Sequence, residues 1–281
     1  MRLAGHVRPA LDHELALLRG LYRRASFNPG MAEVVRFARD TLGGEAFVAE
    51  LAGELAGASA CAHFGASGWV GAVAVLPERR GGGLGSALTR AAIGRLLELG
   101  ASTVTLYATG MGRPVYERLG FVAEGECVAL SAPPAGRRGP PPPGPAGVRV
   151  ADAGDLEAAL DLDRAATGED RARLLTAFWP EAALVAGSDG GPRGYFLSSP
   201  WRPGGAIVAE DLQTGLALIT WARRYTGGEL HLSVPGGNRP ALRALGAWSE
   251  RERSRTTRMR LGPPLQWRPS AMFSTFNLFW G

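Results

Sequence analysis

Residues 75–88 read Val75-Leu76-Pro77-Glu78-Arg79-Arg80-Gly81-Gly82-Gly83-Leu84-Gly85-Ser86-Ala87-Leu88. Those residue types at that spacing suit the binding of an anion. Successive glycines let the chain bend so that several backbone N–H groups point at one spot. A helix start just after them adds unpaired donors and the positive end of its dipole. A pyrophosphate is the natural guest. Two other phosphate-binding patterns do not fit. A dinucleotide fold needs Gly-x-Gly-x-x-Gly and an acidic residue about 20 positions on. A P-loop needs Gly-Lys-Ser/Thr, and this chain contains no lysine.

The elements that position this turn are legible on either side of it. Trp69 to Val75 is an apolar, strand-like stretch, and Leu84 to Leu99 has the composition of a helix. Thr103-Val104-Thr105-Leu106-Tyr107 alternates as the next strand should. Val115-Tyr116-Glu117-Arg118-Leu119-Gly120-Phe121 then reads as a short helix closing on a Gly-Phe turn. Upstream, Asp12 to Arg24 places Leu15, Leu18, Leu21 and Tyr22 on one helical face, and Met31 to Leu42 is a second helix. Strands follow at Ala46 to Leu51, Ala58 to Phe64 and Trp69 to Val75, with glycine-containing turns that suit an antiparallel meander.

Arg80-Gly81-Gly82-Gly83-Leu84-Gly85 and the Tyr116 to Phe121 run, in this order and with a helix and a strand between them, resemble the GNAT superfamily of N-acetyltransferases. The close match covers roughly residues 65 to 130. The resemblance implies acetyl-CoA as cosubstrate. It implies that the pantetheine arm lies along Val73, Ala74 and Val75 like an added strand. It implies that the amides of Gly81, Gly82, Gly83, Leu84, Gly85 and Ser86 cradle the pyrophosphate, with Arg80 at the start of the motif. A backbone N–H near Val75 would polarise the thioester carbonyl. Tyr116 occupies the family's general-acid position, and Thr109 stands where the family often has asparagine. A phenol has an ordinary pKa of about 10 and can protonate a leaving thiolate at neutral pH.

Amine acetylation also calls for a base. Trp69 to Val75 contains no acid; Glu50, Glu54, Glu124 and Glu126 are the nearby carboxylates in sequence. His63, on the preceding strand, is the candidate base, histidine being the side chain most often used for that role. Cys61 has no paired His-acid pattern and reads as a small core residue.

The chain has 281 residues, 46% of them hydrophobic, which suits two soluble domains. It has no apolar run of about 18 residues, so no membrane span is expected. The first residues lack a signal peptide's apolar core, and Cys61 and Cys127 make neither a disulfide framework nor a zinc site. A cytoplasmic location is the default, and no metal is expected. The net charge of +5 is carried by arginine alone and scattered, as a GC-rich genome would give. Nucleic acid is therefore not the expected partner, though binding through the arginines would betray itself by a steep salt dependence.

The clearest boundary is the proline- and glycine-rich run from Ser131 to Gly147. We read residues 1–130 as an acetyl-CoA-binding catalytic domain, 131–147 as a linker, and 148–281 as a second domain. The second repeats the plan: a strand at Val148 to Val150, a helix capped by Asp152 or Asp155, strands at Ala183 to Ala186 and Gly194 to Ser198, a helix from Ile207 to Tyr225, a strand at Glu229 to Val234 and a helix from Arg239 to Leu245. The chain thereby resembles a tandem GNAT subgroup, an N-terminal GNAT domain followed by a degenerate one. The expected fold class is α/β (α+β), each domain a mixed, largely antiparallel sheet flanked by helices. The loop before the second long helix is expected at Pro200-Trp201-Arg202-Pro203-Gly204-Gly205-Ala206, where two prolines remove amide donors. The second domain is thus expected to line the acceptor site without binding acetyl-CoA. Ala271 to Trp280 reads as a final strand closing it against the first domain; a dimer interface, hence a homodimer, or a wall of the acceptor pocket are the other readings. The expected activity is acetyl transfer by direct attack of a primary amine on a small molecule or peptide. The alternative is a non-catalytic acyl-CoA-binding or regulatory protein.

Overall fold

The computed structural model describes residues 6–132, 147–180, 183–188, 191–226, 228–247 and 251–281. Its contacts divide the chain into two units. Unit 1 holds Met1–Ala123, Met259–Pro263 and Trp280, and unit 2 holds Glu124–Arg258, Pro264–Phe279 and Gly281.

Unit 1 begins with β1 (His6–Pro9), α1 (Asp12–Arg24) and α2 (Met31–Asp40). Leu15, Leu18, Leu21 and Tyr22 recur at helical spacing on α1 and are buried. Acids in its first turn and Arg23 and Arg24 in its last suit the helix dipole. Glu14 accepts the Leu11 N–H at 2.8 Å and pairs with Arg8 at 2.7 Å, fixing how the chain enters α1. β2 (Glu45–Leu51), β3 (Glu54–Phe64) and β4 (Ser67–Val75) form the antiparallel meander. α3 (Leu84–Glu98), β5 (Thr103–Ala108) and α4 (Arg113–Arg118) complete the run. The strands lie in the order β1-β2-β3-β4-β5, and β4 and β5 are parallel. Phe47, Val70, Val104 and Leu106 pack with Leu88, Ala92 and Leu96 of α3. Gly68 allows that approach, because a Cβ there would meet Leu96 Cδ2 at 2.4 Å.

Unit 2 contains β6 (Val122–Ala132, from its third residue onward), β7 (Val148–Val150), α5 (Leu156–Thr167), α6 (Ala172–Phe178), β8 (Ala183–Ser188), β9 (Gly191–Ser198) and β10 (Gly205–Ala209). It continues with α7 (Leu212–Tyr225), β11 (Leu230–Pro235), α8 (Arg239–Ala247), β12 (Arg251–Leu261, as far as Arg258) and β13 (Met272–Ser274). One sheet runs β13-β10-β9-β8-β7, and β12, β6 and β11 are neighbours in another. Apolar faces of both meet α7: Leu184, Phe196 and Ile207 from one, Val128, Leu130, Leu232 and Val234 from the other, with Leu218, Ile219 and Ala222 of the helix. A buried polar cluster ties α5 to α6 and β9. Arg171 donates through Nε and Nη2 to Asp163 at 3.0 Å each, Tyr195 Oη donates to the same carboxylate, and Arg171 Nη1 donates to Gly281 O at 2.7 Å. Burial opposes the Arg171 charge, but the Asp163 carboxylate more than offsets it and holds the guanidinium protonated.

Three expectations need correction. Ile207 to Ala209 is not the first turn of a helix; it is the buried strand β10, and α7 starts at Leu212. A short run buried on both faces lacks the alternation that marks a strand. Consequently Pro200 to Gly204 lies in the β9–β10 connection, not before α7. The C-terminal run forms a strand of only three residues, Met272–Ser274, paired with β10 inside unit 2. Of the 131–147 run, Ser131 and Ala132 belong to β6, and residues 133–146 lie outside the described residues.

Candidate functional site

β4 and β5 pair at only three positions, Ser67 with Thr103, Gly68 with Val104 and Trp69 with Thr105. β4 then runs on to Val75 and β5 to Ala108 without further pairing between them. The β5-facing edge of Val73, Ala74 and Val75 is therefore left to another partner. On its other edge β4 keeps its ladder with β3, except at a bulge. Ala58 pairs with Ala74 and Ala60 with Gly71, so Ala72 and Val73 together oppose Ser59. Ala72 takes a φ of +53°, a left-handed conformation that costs a residue with a Cβ about 1–2 kcal/mol. Nothing in the sequence marks that alanine.

The glycine turn sits at the open end of this cleft. Leu76 N–H closes on Ala56 O at 2.9 Å, and Pro77–Arg79 form a single 3-10 turn. Gly81 and Gly83 then have φ of +81° and +87°. No atoms outside the turn lie within 4 Å of a Cβ built on either. Gly83 is the N-cap of α3, no side chain caps the helix, and its first turn carries no acid. The N–H groups of Leu84, Gly85 and Ser86 thus keep the free donors of a helix start. Arg80 is held differently from expectation. Its guanidinium donates to Val75 O at 3.0 Å and to Ala25 O at 3.2 Å, clamping the turn to the ends of β4 and α1.

Tyr116 lies on α4, which follows the open end of β5. Its ring meets Phe121 edge-on at 6.0 Å, and a Cβ on Gly112 would touch its Cε2 at 3.0 Å. Thr109 Oγ1 accepts the Gly112 N–H at 3.3 Å, fixing the turn into α4. Among the described residues nothing hydrogen-bonds the Tyr116 hydroxyl. Burial pushes its pKa up to about 12, so it is a proton donor throughout the neutral range. His63 is elsewhere. It pairs with Gly68 at the closed end of β4, its N–H donates to Leu42 O at 3.2 Å, and its Nε2 is buried without a partner. The structure does not bring it to the open cleft. Cys61 is buried, and burial raises its thiol to about 12, which suits packing and not nucleophilic attack. A groove of 410 Å³ between α1 and α2, lined by Leu15, Arg19, Glu33, Arg36, Phe37 and Asp40, includes none of the loop residues.

Family models for the GNAT acetyltransferase domain match residues 43–123 and, separately, 159–274. The chain belongs to the GNAT acetyltransferase family. A candidate acetyltransferase from Pyrococcus horikoshii superposes with a TM-score of 0.78 at 20% identity, covering 99% of this chain and 96% of that one. A GCN5-related N-acetyltransferase from Sphaerobacter thermophilus gives 0.68 at 19% identity over 94% and 98%. A tandem GNAT protein from the clavulanic acid biosynthesis pathway gives 0.64 at 16% identity over 93% and 100%. At these identities the likeness is one of fold. No curated protein matches the sequence. Two GNAT domains in tandem make the chain an acyltransferase whose cosubstrate is acetyl-CoA.

The two GNAT units treat the same places oppositely. In unit 2 the connection from β10 to α7 is only Glu210 and Asp211. Asp211 caps the helix itself, accepting from Thr214 N at 2.9 Å and from Thr214 Oγ1 at 3.0 Å. Those hydrogen bonds hold its carboxyl below the usual range, so the helix start already carries its anion. The cleft between β10 and β11 is filled as well. Ser274 and Met272 pair with Ile207 and Val208 on one side, and Thr275 N–H donates to Ser233 O at 2.9 Å on the other. No helix among the described residues is long and apolar enough to cross a membrane.

Proposed function

We propose that the chain acetylates a primary amine on a small molecule or peptide, and that unit 1 alone performs the transfer. The observation that carries this reading is the contrast between the units: an open β4–β5 cleft ending in an uncapped glycine turn, against a filled β10–β11 cleft ending in a self-capped helix. Residues 1–130 serve as the catalytic domain, 131–147 as connector and 148–281 as the domain that shapes the acceptor site.

Acetyl-CoA supplies the activated acetyl group when bound. The amides of Gly81 to Ser86 hold its pyrophosphate. The backbone edge of Val73, Ala74 and Val75 aligns its arm as a strand would. Arg80 holds the turn in register with β4 through Val75 O, so the two binding surfaces keep a fixed spacing. Such alignment contributes up to about 7–11 kcal/mol in favourable cases. Tyr116 would give its proton to the departing sulfur, and the proton lost by the amine nitrogen, carried by solvent, would restore the phenol; Phe121, Gly112 and Thr109 keep its ring in place. The location of His63 at the closed end leaves it out of this scheme.

Calorimetric titration with acetyl-CoA tests the reading through its stoichiometry. One site per chain is expected. Two sites would overturn the reading of unit 2, and none would overturn that of unit 1.

A further inference from the structure

The open cleft of unit 1 has a blind end. β4 and β5 are paired as far as Trp69 opposite Thr105. Carried one and two residues further, the same register sets Val70 opposite Leu106 and Gly71 opposite Tyr107, across a gap that no ladder bridges. Side chains alternate between the two faces of a sheet. Val70 and Leu106 belong to the core under α3. Trp69, Gly71 and Tyr107 therefore stand on the opposite face. Gly71 offers no side chain there, and the Tyr107 ring lies against that of Trp69, their centroids 5.2 Å apart and their planes at 36°. Trp69 is 2% exposed, whereas Tyr107 is half-buried and keeps ring surface on the cleft side of the pair.

The cleft narrows towards these residues. Neighbouring strands lie about 4.8 Å apart, so an arm inserted between two of them needs about twice that gap. The edge of Val73, Ala74 and Val75 has no β5 partner and leaves such a gap, while at Trp69 the spacing is that of a paired ladder. The bulge at Ala72 and Val73 lies between, where a bend in β4 lets the strands part. An acyl group carried at the end of the arm enters the narrowing part. Val70 and Leu106 wall it on the α3 side, the two rings wall it on the other, and the Trp69–Thr105 pair blocks it in front. From Val73 to Gly71 is two residues, about 7 Å of strand, which holds an acyl chain of about four carbons at most.

We infer that the Trp69–Tyr107 pair sets the acyl length that this protein accepts: acetyl and its nearest homologues enter the wedge, and chains of six carbons or more do not. The inference rests on the reading of unit 1 as the site of the cofactor arm and adds to it the residues that select the acyl group.

Calorimetric titrations of the full chain with CoA, acetyl-CoA and hexanoyl-CoA test it. Acetyl-CoA is expected to bind at least tenfold more tightly than hexanoyl-CoA. Tyr107→Ala removes one wall, and the gap between the two ligands is expected to shrink below threefold. Tyr107→Phe keeps the ring and is expected to keep the gap, which separates the wall from the hydroxyl. Trp69→Ala is expected to act as Tyr107→Ala does; the wild-type and Tyr107 comparisons stand if that core variant does not fold. Hexanoyl-CoA binding less than tenfold weaker than acetyl-CoA in the wild type overturns the inference, as does a gap that folded Tyr107→Ala leaves intact. In both cases CoA itself still binds, and the reading of the glycine turn survives. No binding of CoA overturns that reading and the inference together.

Discussion

Replacing Gly83 by alanine separates backbone conformation from packing in the glycine turn. A Cβ there meets no neighbouring atom within 4 Å, so no clash arises. What remains is the φ of +87°, which costs an alanine about 1–2 kcal/mol. Gly83 is exposed, and no side-chain hydrogen bond holds the cap in place. The free variant can therefore relax its turn, and the strain returns only when the amides must converge on a pyrophosphate. Charged to binding, that strain weakens acetyl-CoA by about 5- to 30-fold, since each 1.4 kcal/mol is tenfold. Gly94→Ala is the control. It sits inside α3 with open space around it. There alanine should stabilise by about 0.5–1 kcal/mol with no change in affinity. Calorimetric affinities and melting curves of both variants decide the matter. If Gly83→Ala binds within twofold of the wild type, or if Gly94→Ala weakens binding as much, the amide-cradle argument is wrong.

Tyr116→Phe should lower kcat by about 10²–10⁴-fold with little change in acetyl-CoA affinity. Because burial holds the hydroxyl at about 12, the wild-type pH–rate profile should show no Tyr116-dependent loss in the neutral range; such a loss, absent from the variant, would refute the assignment. Glu14 is held down to about 2 from 4.5, mainly by its hydrogen bond to Arg8. A depressed carboxyl stabilises above its unfolded pKa and loses that contribution as pH falls through the folded one. Acid melting of the wild type should thus steepen between pH 4.5 and about 2, and Glu14→Gln should flatten that interval. Gly215→Ala places a Cβ 2.3 Å from the Phe273 ring and should destabilise the fold by about 1–3 kcal/mol in chemical denaturation. An unchanged midpoint would show that β13 is loosely seated.

Unit 1 was legible where local chemistry is strong. Three consecutive glycines before a helix, the alternation of Thr103 to Tyr107 and the Gly120-Phe121 turn each act through a few neighbouring residues, and each is found where the sequence suggested. The bulge at Ala72 was not legible, because a positive φ at alanine is imposed by the register of β3 against β4 and leaves no mark in composition. Arg80 was read as the first residue of the cofactor motif; its hold on Val75 O is local, but its hold on Ala25 O, 55 positions away, lies beyond any local window of sequence. β10 was absorbed into a helix because Ile207 and Val208 are buried on both sides. β12 went unread because its arginines hide the strand pattern. The pairing of β13 with β10 joins residues more than sixty positions apart, and no window of sequence contains it.

That last pairing bears on how the chain matures. The sheet of unit 2 cannot be completed until residues 272–275 exist to enter it, and closing so long a loop is an entropic cost met late. A nascent chain that has passed α8 but not reached Met272 would present the Ile207 and Ser233 edges bare, as strand edges open to pairing with other chains. Residues 272–275 are thus a completion step for unit 2, and a chain in which they are lacking should accumulate as aggregate and not as a smaller soluble protein.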